Sequence, residues 1–385
     1  MSTSLAPTHT IPVMKPWLGR EEADAAADAV LSGWVAQGPR VSEFEQSFAA
    51  AVGASHAVAT SSCTTALHLG LVVAGIGPGD EVVVPSLSFI ATANAVRYVG
   101  ATPVFADVAI ETANLTPETV APVLTPRTRA IIVVHQGGMP ADVLGLKALV
   151  ADRDVLVFED AACAAGSQAD GLPVGHGSDL AAWSFHPRKV LTTGEGGMIT
   201  TERADWAAAL RRLREHGMDV SAAARHAAGS RVVLERYLEV GFNYRMTDIQ
   251  AAVGLVQLGK LPEMVRRRRE IVGDYRAGLV DIPGLSPVVE GHGIESNYQS
   301  FWVLLGEDWP MSRNDTLQFL ADRGVQARRG IMASHLEPAY SEFSDLDLPA
   351  TVAVTSRSMI LPVFHTMTEA DVARVLDGLR EASGA

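Results

Sequence analysis

Six short apolar runs, each closed by a turn signal, punctuate the middle of this 385-residue chain: 81–85, 103–107, 130–135, 155–159, 180–185 and 197–201. Helical stretches lie between several of them, at 91–99 and 144–151 for example, and others precede them at 23–32, 41–52 and 64–74, with small and apolar residues at three- and four-residue spacing. The last of these stops at the Gly75-Ile76-Gly77-Pro78-Gly79 turn. A strand buried on both faces reads as an unbroken apolar run rather than as an alternation, and strands that alternate with helices build a mainly parallel sheet covered on both sides. The expected fold class is therefore α/β. Near residue 254 the pattern changes to a long helix, 258–279, followed by short mixed elements. That change predicts a large domain over 11–255 and a smaller α+β domain over 256–385, with the N-terminal segment free to pack on the smaller one. A chain of this length is too long for one small core.

Charge and composition exclude several function classes. Lys plus Arg is 31 and Asp plus Glu is 44, a net charge of −13, which repels nucleic acid. The basic cluster at 266–269 has Glu263 and Glu270 beside it and reads as a solvated or interface face of a helix. No apolar run reaches the roughly 18 residues that cross a bilayer, and residues 1–10 lack the basic and apolar regions of a signal peptide. Two cysteines, Cys63 and Cys163, make no disulfide framework. A cytoplasmic enzyme fits these facts. Only four cations are lysines, Lys15, Lys147, Lys189 and Lys260, so the list of candidate amine nucleophiles is short.

In open parallel sheets the chemistry gathers at the carboxyl ends of the strands. After 155–159 comes Asp160, an acid whose burial is costly unless a positive group meets it; its plainer reading is a helix cap for 161–165. After 180–185 come His186, Arg188 and Lys189, then the Gly-rich turn Thr192-Thr193-Gly194-Glu195-Gly196-Gly197. Lysines are mostly solvated, but this one sits between an apolar strand and a backbone free to approach a ligand. Desolvation and a nearby cation or phosphate site are expected to lower its pKa and make it a nucleophile. Thr60 to Leu67 put hydroxyl residues at a helix start, which is either a plain Ser/Thr cap or a phosphate site. Phe89, just after a strand, is either core or a platform for a planar ring. His135 is either a structural strand-end histidine or a substrate-facing one, and His186 lies three residues before the lysine.

These stretches resemble the DegT/DnrJ/EryC1/StrS family of sugar aminotransferases, of pyridoxal-phosphate fold type I (aspartate aminotransferase-like). The most specific matches are Ser184-Phe185-His186-x-x-Lys189-x-Leu191-Thr192-Thr193-Gly194-Glu195-Gly196-Gly197 and Gly241-Phe242-Asn243-Tyr244-Arg245-Met246-Thr247-Asp248-Ile249-Gln250-Ala251-Ala252. Weaker ones at 61–67, 79–94, 159–166, 330–340 and 361–368 follow in the family's order. The resemblance implies a seven-stranded-type sheet and pyridoxal 5'-phosphate as cofactor. It implies that Lys189 holds the cofactor as an internal aldimine and then serves as acid and base. Asp160 then pairs with the pyridinium nitrogen. The backbone at Cys63 and Thr64, the Ser184 hydroxyl and Asn243 from a partner subunit serve the phosphate, and Phe89 stacks on the ring. A homodimer with a shared site follows from the role of Asn243.

Two departures stand out. Cys163 stands where the family often has a glutamine that contacts the cofactor's phenolic oxygen, and a thiol lacks an amide's donor geometry; Cys163 is expected to pack there, as buried cysteines usually do. The stretch from His135 through Gln136-Gly137-Gly138 lacks a bulkier residue common in the family, which predicts an altered substrate pocket. The resemblance implies a ping-pong transamination from glutamate or glutamine to a keto-sugar attached to a nucleotide, with a cyclitol ketone of inosose type as the alternative acceptor. A dehydratase variant of the family has histidine where Lys189 stands. A cofactor-binding regulator needs a DNA-binding module, and none is read ahead of Ile11. A Rossmann-type binder is disfavoured because Gly75-x-Gly77-x-Gly79 precedes a strand rather than following one.

Overall fold

In a computed structural model that describes residues 9–220 and 232–384, the apolar runs become one seven-stranded sheet. Its strands are β1 (His56–Thr60), β2 (Glu81–Pro85), β3 (Thr102–Ala106), β4 (Thr128–Val134), β5 (Leu156–Asp160), β6 (Leu180–Ser184) and β7 (Gly197–Thr201). They lie in the order β1-β7-β6-β5-β4-β2-β3. All neighbours run parallel except β7, which is antiparallel to both β1 and β6. The mainly parallel α/β sheet expected from the sequence is thus the observed one. β1 was not foreseen, because five residues with a half-buried histidine at one end carry too short an apolar signal.

Both faces of the sheet are covered. On one, α3 (Cys63–Val73), α4 (Ala91–Tyr98) and α6 (Ala204–Leu213) bury Leu67, Leu71, Val96 and Leu210 against Val82, Val84, Ile132 and Phe158. Gly70 of α3 is required there, since a Cβ would collide with the Phe158 ring. On the other face, α2 (Pro39–Val52) contributes Phe44 and Phe48, which pack with Trp183 and Phe185. Further along that face α5 (Val143–Leu149) closes over Val133 and Val157.

A 32-residue helix, α7 (Asp248–Leu279), crosses from the large unit to the small one, with Pro262 inside it. It begins at Asp248 rather than at the expected 258, so the expected domain boundary at 255 falls within a continuous helix. A capping box explains the earlier start: the Thr247 hydroxyl accepts from the Gln250 N–H and the Gln250 side chain answers the Thr247 N–H. Asp248 is fully buried and accepts from the N–H groups of Gly38, Arg40 and Val41, so it caps α2 and ties the two helices. The small unit is an antiparallel sheet of β8 (Leu285–Pro287), β9 (Phe301–Leu305), β10 (Arg328–Arg329) and β11 (Ser358–Leu361), ordered β8-β9-β11-β10. It packs with α8 (Arg313–Asp322), α10 (Glu369–Ser383) and the end of α7; α9 (Pro349–Arg357) lies between the units, where Val354, Trp302 and Ile360 join the core of the large sheet. The N-terminal segment packs here too, as Ile11 is fully buried and hydrogen-bonds Gly324 and Gln326 through its backbone (2.8 and 2.9 Å).

Candidate active site

The carboxyl ends of β4, β5 and β6, the start of α3 and the inner edge of the small unit enclose a cavity of about 380 Å³. Lys189, Asp160, Cys63, Thr64, Phe89, Cys163, Ser184 and His186 all line it. His135 and Asn243 do not.

Lys189 sits in the loop joining β6 to β7. That loop is pinned at its base: the Phe185 N–H donates to Gly196, and the Phe185 carbonyl accepts from the Thr193 N–H and the Thr192 hydroxyl (each 2.9 Å). The Lys189 amine reaches across to the Cys163 sulfur at 3.1 Å. The expectation of a lowered lysine pKa is corrected here. Burial does pull it down, but Cys163, Cys63 and Asp160 outweigh burial, and the ammonium is held above its ordinary value.

Asp160 ends β5 almost fully buried. The Thr92 hydroxyl donates to one of its oxygens (2.8 Å) and the Ala162 N–H to the other (3.2 Å). Burial nevertheless wins and raises its pKa above the usual carboxylate value. A buried acid with a raised pKa calls for a cation, which a pyridinium N–H supplies.

The start of α3 lies at the other end of the cavity. The Ser62 hydroxyl accepts from the Thr65 N–H, and among the described residues the N–H groups of Cys63 and Thr64 meet no acceptor. Such free amides at a positive dipole end suit a phosphate. Gly197 holds this turn against the sheet: a Cβ there would fall 2.6 Å from the Cys63 nitrogen and closer still to the Ser62 carbonyl. Burial and Asp160 push the Cys63 thiol well up. Ser184 stands at the end of β6 beside the same turn. Phe89 is 64% exposed, which removes the core reading and leaves its ring at the cavity rim. These groups match what the phosphate, pyridine nitrogen and aldehyde of pyridoxal phosphate each require.

His135 is 1% exposed, with both nitrogens engaged: Nε2 lies 3.0 Å from Glu159 and Nδ1 accepts from the Ala141 N–H at 3.0 Å. A ring so held faces no substrate, and of its two readings the structural one describes the geometry. His186 does reach the cavity; its Nδ1 accepts the Arg188 N–H (3.2 Å), and burial lowers its pKa against the pull of Glu195. Asn243 is exposed, outside the cavity of its own chain. Sequence reasoning missed Thr92, which orients Asp160, and Asn297, whose amide donates to the Cys163 and Ala165 carbonyls (both 2.8 Å) and braces the loop after β5. Among the described residues no group of three or more His, Cys, Asp or Glu could hold a metal ion, and no helix is long and apolar enough to cross a membrane.

Residues 16–380 match the model of the DegT/DnrJ/EryC1/StrS aminotransferase family. The chain is 36% identical over 381 residues to the spore coat polysaccharide biosynthesis protein SpsC of Bacillus subtilis (strain 168), covering 97% of each. Among solved structures it is similar to the aminotransferase TlmJ of Streptoalloteichus hindustanus, with a TM-score of 0.89 and 37% identity over 97% of this chain and 98% of that one. It is also similar to Spr1654 of Streptococcus pneumoniae in its PMP form, with a TM-score of 0.90 and 28% identity over 97% and 99%; that protein is likewise known in a PLP form. The chain belongs to the DegT/DnrJ/EryC1/StrS aminotransferase family, is an aminotransferase, and takes pyridoxal phosphate as its cofactor.

Proposed function

We propose that this aminotransferase moves the amino group of glutamate or glutamine to a keto-sugar carried on a nucleotide, in two half-reactions that share one cofactor and one lysine. The observation that carries the reading is that Asp160, at the end of β5, and Lys189, in the loop after β6, face one cavity beside the free N–H groups of α3. Pyridoxal phosphate supplies an electron sink and a carrier for the amino group. Cys63 and Thr64 would hold its phosphate through their backbone, with the Ser184 hydroxyl beside them. Asp160 would keep the ring nitrogen protonated, Thr92 keeps Asp160 oriented, and Phe89 would cover the ring face. Lys189 would bind the aldehyde carbon and, once displaced by the incoming amine, move the proton between the substrate carbon and the cofactor carbon. Cys163 holds the lysine amine in this position.

The acceptor side rests on relatives. Gly137 lines the cavity beside Ser300, where a Cβ would crowd Trp302 Nε1 at 3.2 Å. SpsC is named for polysaccharide biosynthesis, which favours a sugar over a cyclitol. The working unit is a homodimer. Asn243 is exposed and does not line its own cavity, and the strongly exposed Val232, Leu234, Tyr237, Leu238 and Val240 precede it as an uncovered apolar stretch. The test is to incubate the cofactor-loaded protein with glutamate or glutamine and a panel of nucleotide-linked keto-sugars and cyclitol ketones, reading products by mass. Amination of a nucleotide-linked sugar is expected; amination of cyclitols alone would replace this substrate reading with the other.

A further inference from the structure

Close to the Asp160 carboxylate lies a buried hydroxyl that the reading above does not use. Ser88, in the turn between β2 and α4, is 2% exposed, and Thr92, in the first turn of α4, is 1% exposed. Their hydroxyl oxygens lie 2.8 Å apart, and Thr92 donates to Asp160 Oδ2 at 2.8 Å. A hydroxyl has one hydrogen to give. With its hydrogen on the carboxylate, the Thr92 oxygen can only accept, so the donor between the two hydroxyls is Ser88. The bonds therefore run one way, from Ser88 to Thr92 to Asp160. Ser88 has no simpler task. No side chain caps the start of α4, and among the described residues the Ser88 hydroxyl bonds only Thr92, whereas most side-chain hydrogen bonds go to backbone or water. The main chain around Ser88 is held firmly. Its N–H donates to the Ser86 carbonyl (3.0 Å), and Ser334 of the small unit donates its N–H to the Ser86 carbonyl (2.7 Å) and its hydroxyl to the Ser88 carbonyl (3.4 Å).

We propose that Ser88 is a positioning residue for the transamination: by donating to Thr92 it commits the Thr92 hydrogen to Asp160, so that the carboxylate stays ionised against the cofactor's ring nitrogen. This rests on the role given to Asp160 above. Hydrogen bonds that end on a charge are the strong ones, and each bond of a chain polarises the next. The gain falls on the ionised form. An acid protonated at Oδ2 would have to donate to Thr92 and turn both hydroxyls round, leaving the Ser88 hydrogen with no acceptor among the described residues. The chain thus works against burial, which pushes the Asp160 pKa up and which the Thr92 bond opposes. The other groups that bear on Asp160 are the Ala162 N–H, Lys189 from the loop after β6, His135 just after β4 and Cys63 at the start of α3. Changing Ser88 leaves all of them in place.

The test compares the wild type with Ser88→Ala, Ser88→Thr and Thr92→Val. In the cofactor-free protein, the pH at which Asp160 gives up its proton is read from the carboxyl infrared band that Asp160→Asn removes. In the loaded protein, protonation of the ring nitrogen is read by NMR with nitrogen-labelled pyridoxal phosphate. Ser88→Ala should raise the Asp160 midpoint and move the ring-nitrogen signal towards unprotonated pyridine. Thr92→Val should do both more strongly, and Ser88→Thr, which keeps the hydroxyl, should match the wild type. Amination of the cofactor by saturating donor should slow about two- to tenfold in Ser88→Ala, with the half-saturating donor concentration unchanged. An Asp160 midpoint and a ring-nitrogen signal that stay at their wild-type positions in Ser88→Ala would overturn the proposal. So would a shift that Ser88→Thr reproduces, because the hydroxyl would then not be its cause. A wild-type ring nitrogen that carries no proton would instead sink the role given to Asp160, whatever the cofactor-free protein shows.

Discussion

Gly197→Ala is the sharpest perturbation of the phosphate end of the site that leaves every polar group in place. A methyl at this position would lie 2.3 Å from the Ser62 carbonyl carbon and 2.6 Å from the Cys63 nitrogen, whereas ordinary contact begins near 3.4 Å, so the turn that opens α3 must retreat by about 1.1 Å. β7 cannot yield instead, because Gly197 is paired on both sides, with Thr60 of β1 and Ser184 of β6. Overpacking of this kind costs about 1–3 kcal/mol. The same shift withdraws the N–H groups of Cys63 and Thr64 from the phosphate. Each such bond to a charged acceptor contributes about 1.5–3 kcal/mol, so losing the equivalent of one weakens cofactor binding about ten- to a hundredfold. The assay is a fluorescence titration of cofactor-free protein with pyridoxal phosphate, alongside its melting temperature. Gly259→Ala is the control: it lies mid-helix in α7 with open space around it, and should stabilise by about 0.5–1 kcal/mol without changing affinity. A Gly197→Ala protein that binds the cofactor as the wild type does would refute the steric argument and with it the assignment of this turn to the phosphate.

Two further outcomes follow from the charges. The Asp160 pKa is raised above its ordinary 3.8, so the folded cofactor-free protein keeps that proton longer than the unfolded chain, and stability is lost as pH rises from about 3.8 through the folded value. Asp160→Asn does not titrate, so urea unfolding should show the variant gaining on the wild type across that window, by about 1.4 kcal/mol for each pH step of one within it; a difference constant with pH would contradict this. Burial lowers the Lys189 pKa but Cys163 helps to hold it above 10.5, so the unprotonated amine is scarce. In Cys163→Ala the pH at which cofactor capture accelerates should move down, and a move upward would show that the sulfur does not hold the ammonium.

Much of this was written in local sequence. The six apolar runs became strands, because a parallel sheet covered on both faces leaves no polar alternation to obscure them. The lysine loop was legible for a related reason: a strand, a lysine and a Gly-rich turn are contiguous in the chain. What was not legible depends on contacts between distant segments. Thr92 lies 68 residues from the carboxylate it orients, and Asn297 lies 134 residues from the Cys163 carbonyl it holds. The direction of the Lys189 pKa failed on the same ground, since desolvation could be guessed from an apolar flank but the gathering of Cys163, Cys63 and Asp160 around the amine could not. His135 kept two readings until Glu159 and Ala141 were seen to occupy both its nitrogens.

The central claim is that Lys189 carries the cofactor and that the loaded chain passes an amino group through it. Its most direct test is the visible absorption spectrum of the protein with pyridoxal phosphate, before and after an amino donor is added, for the wild type and Lys189→Ala. The account predicts a visible band of lysine-bound cofactor that borohydride fixes to the peptide containing residue 189, that glutamate or glutamine discharges to the aminated form, and that is missing in the variant. A band that survives in Lys189→Ala, or a wild-type spectrum indifferent to both donors, would contradict it.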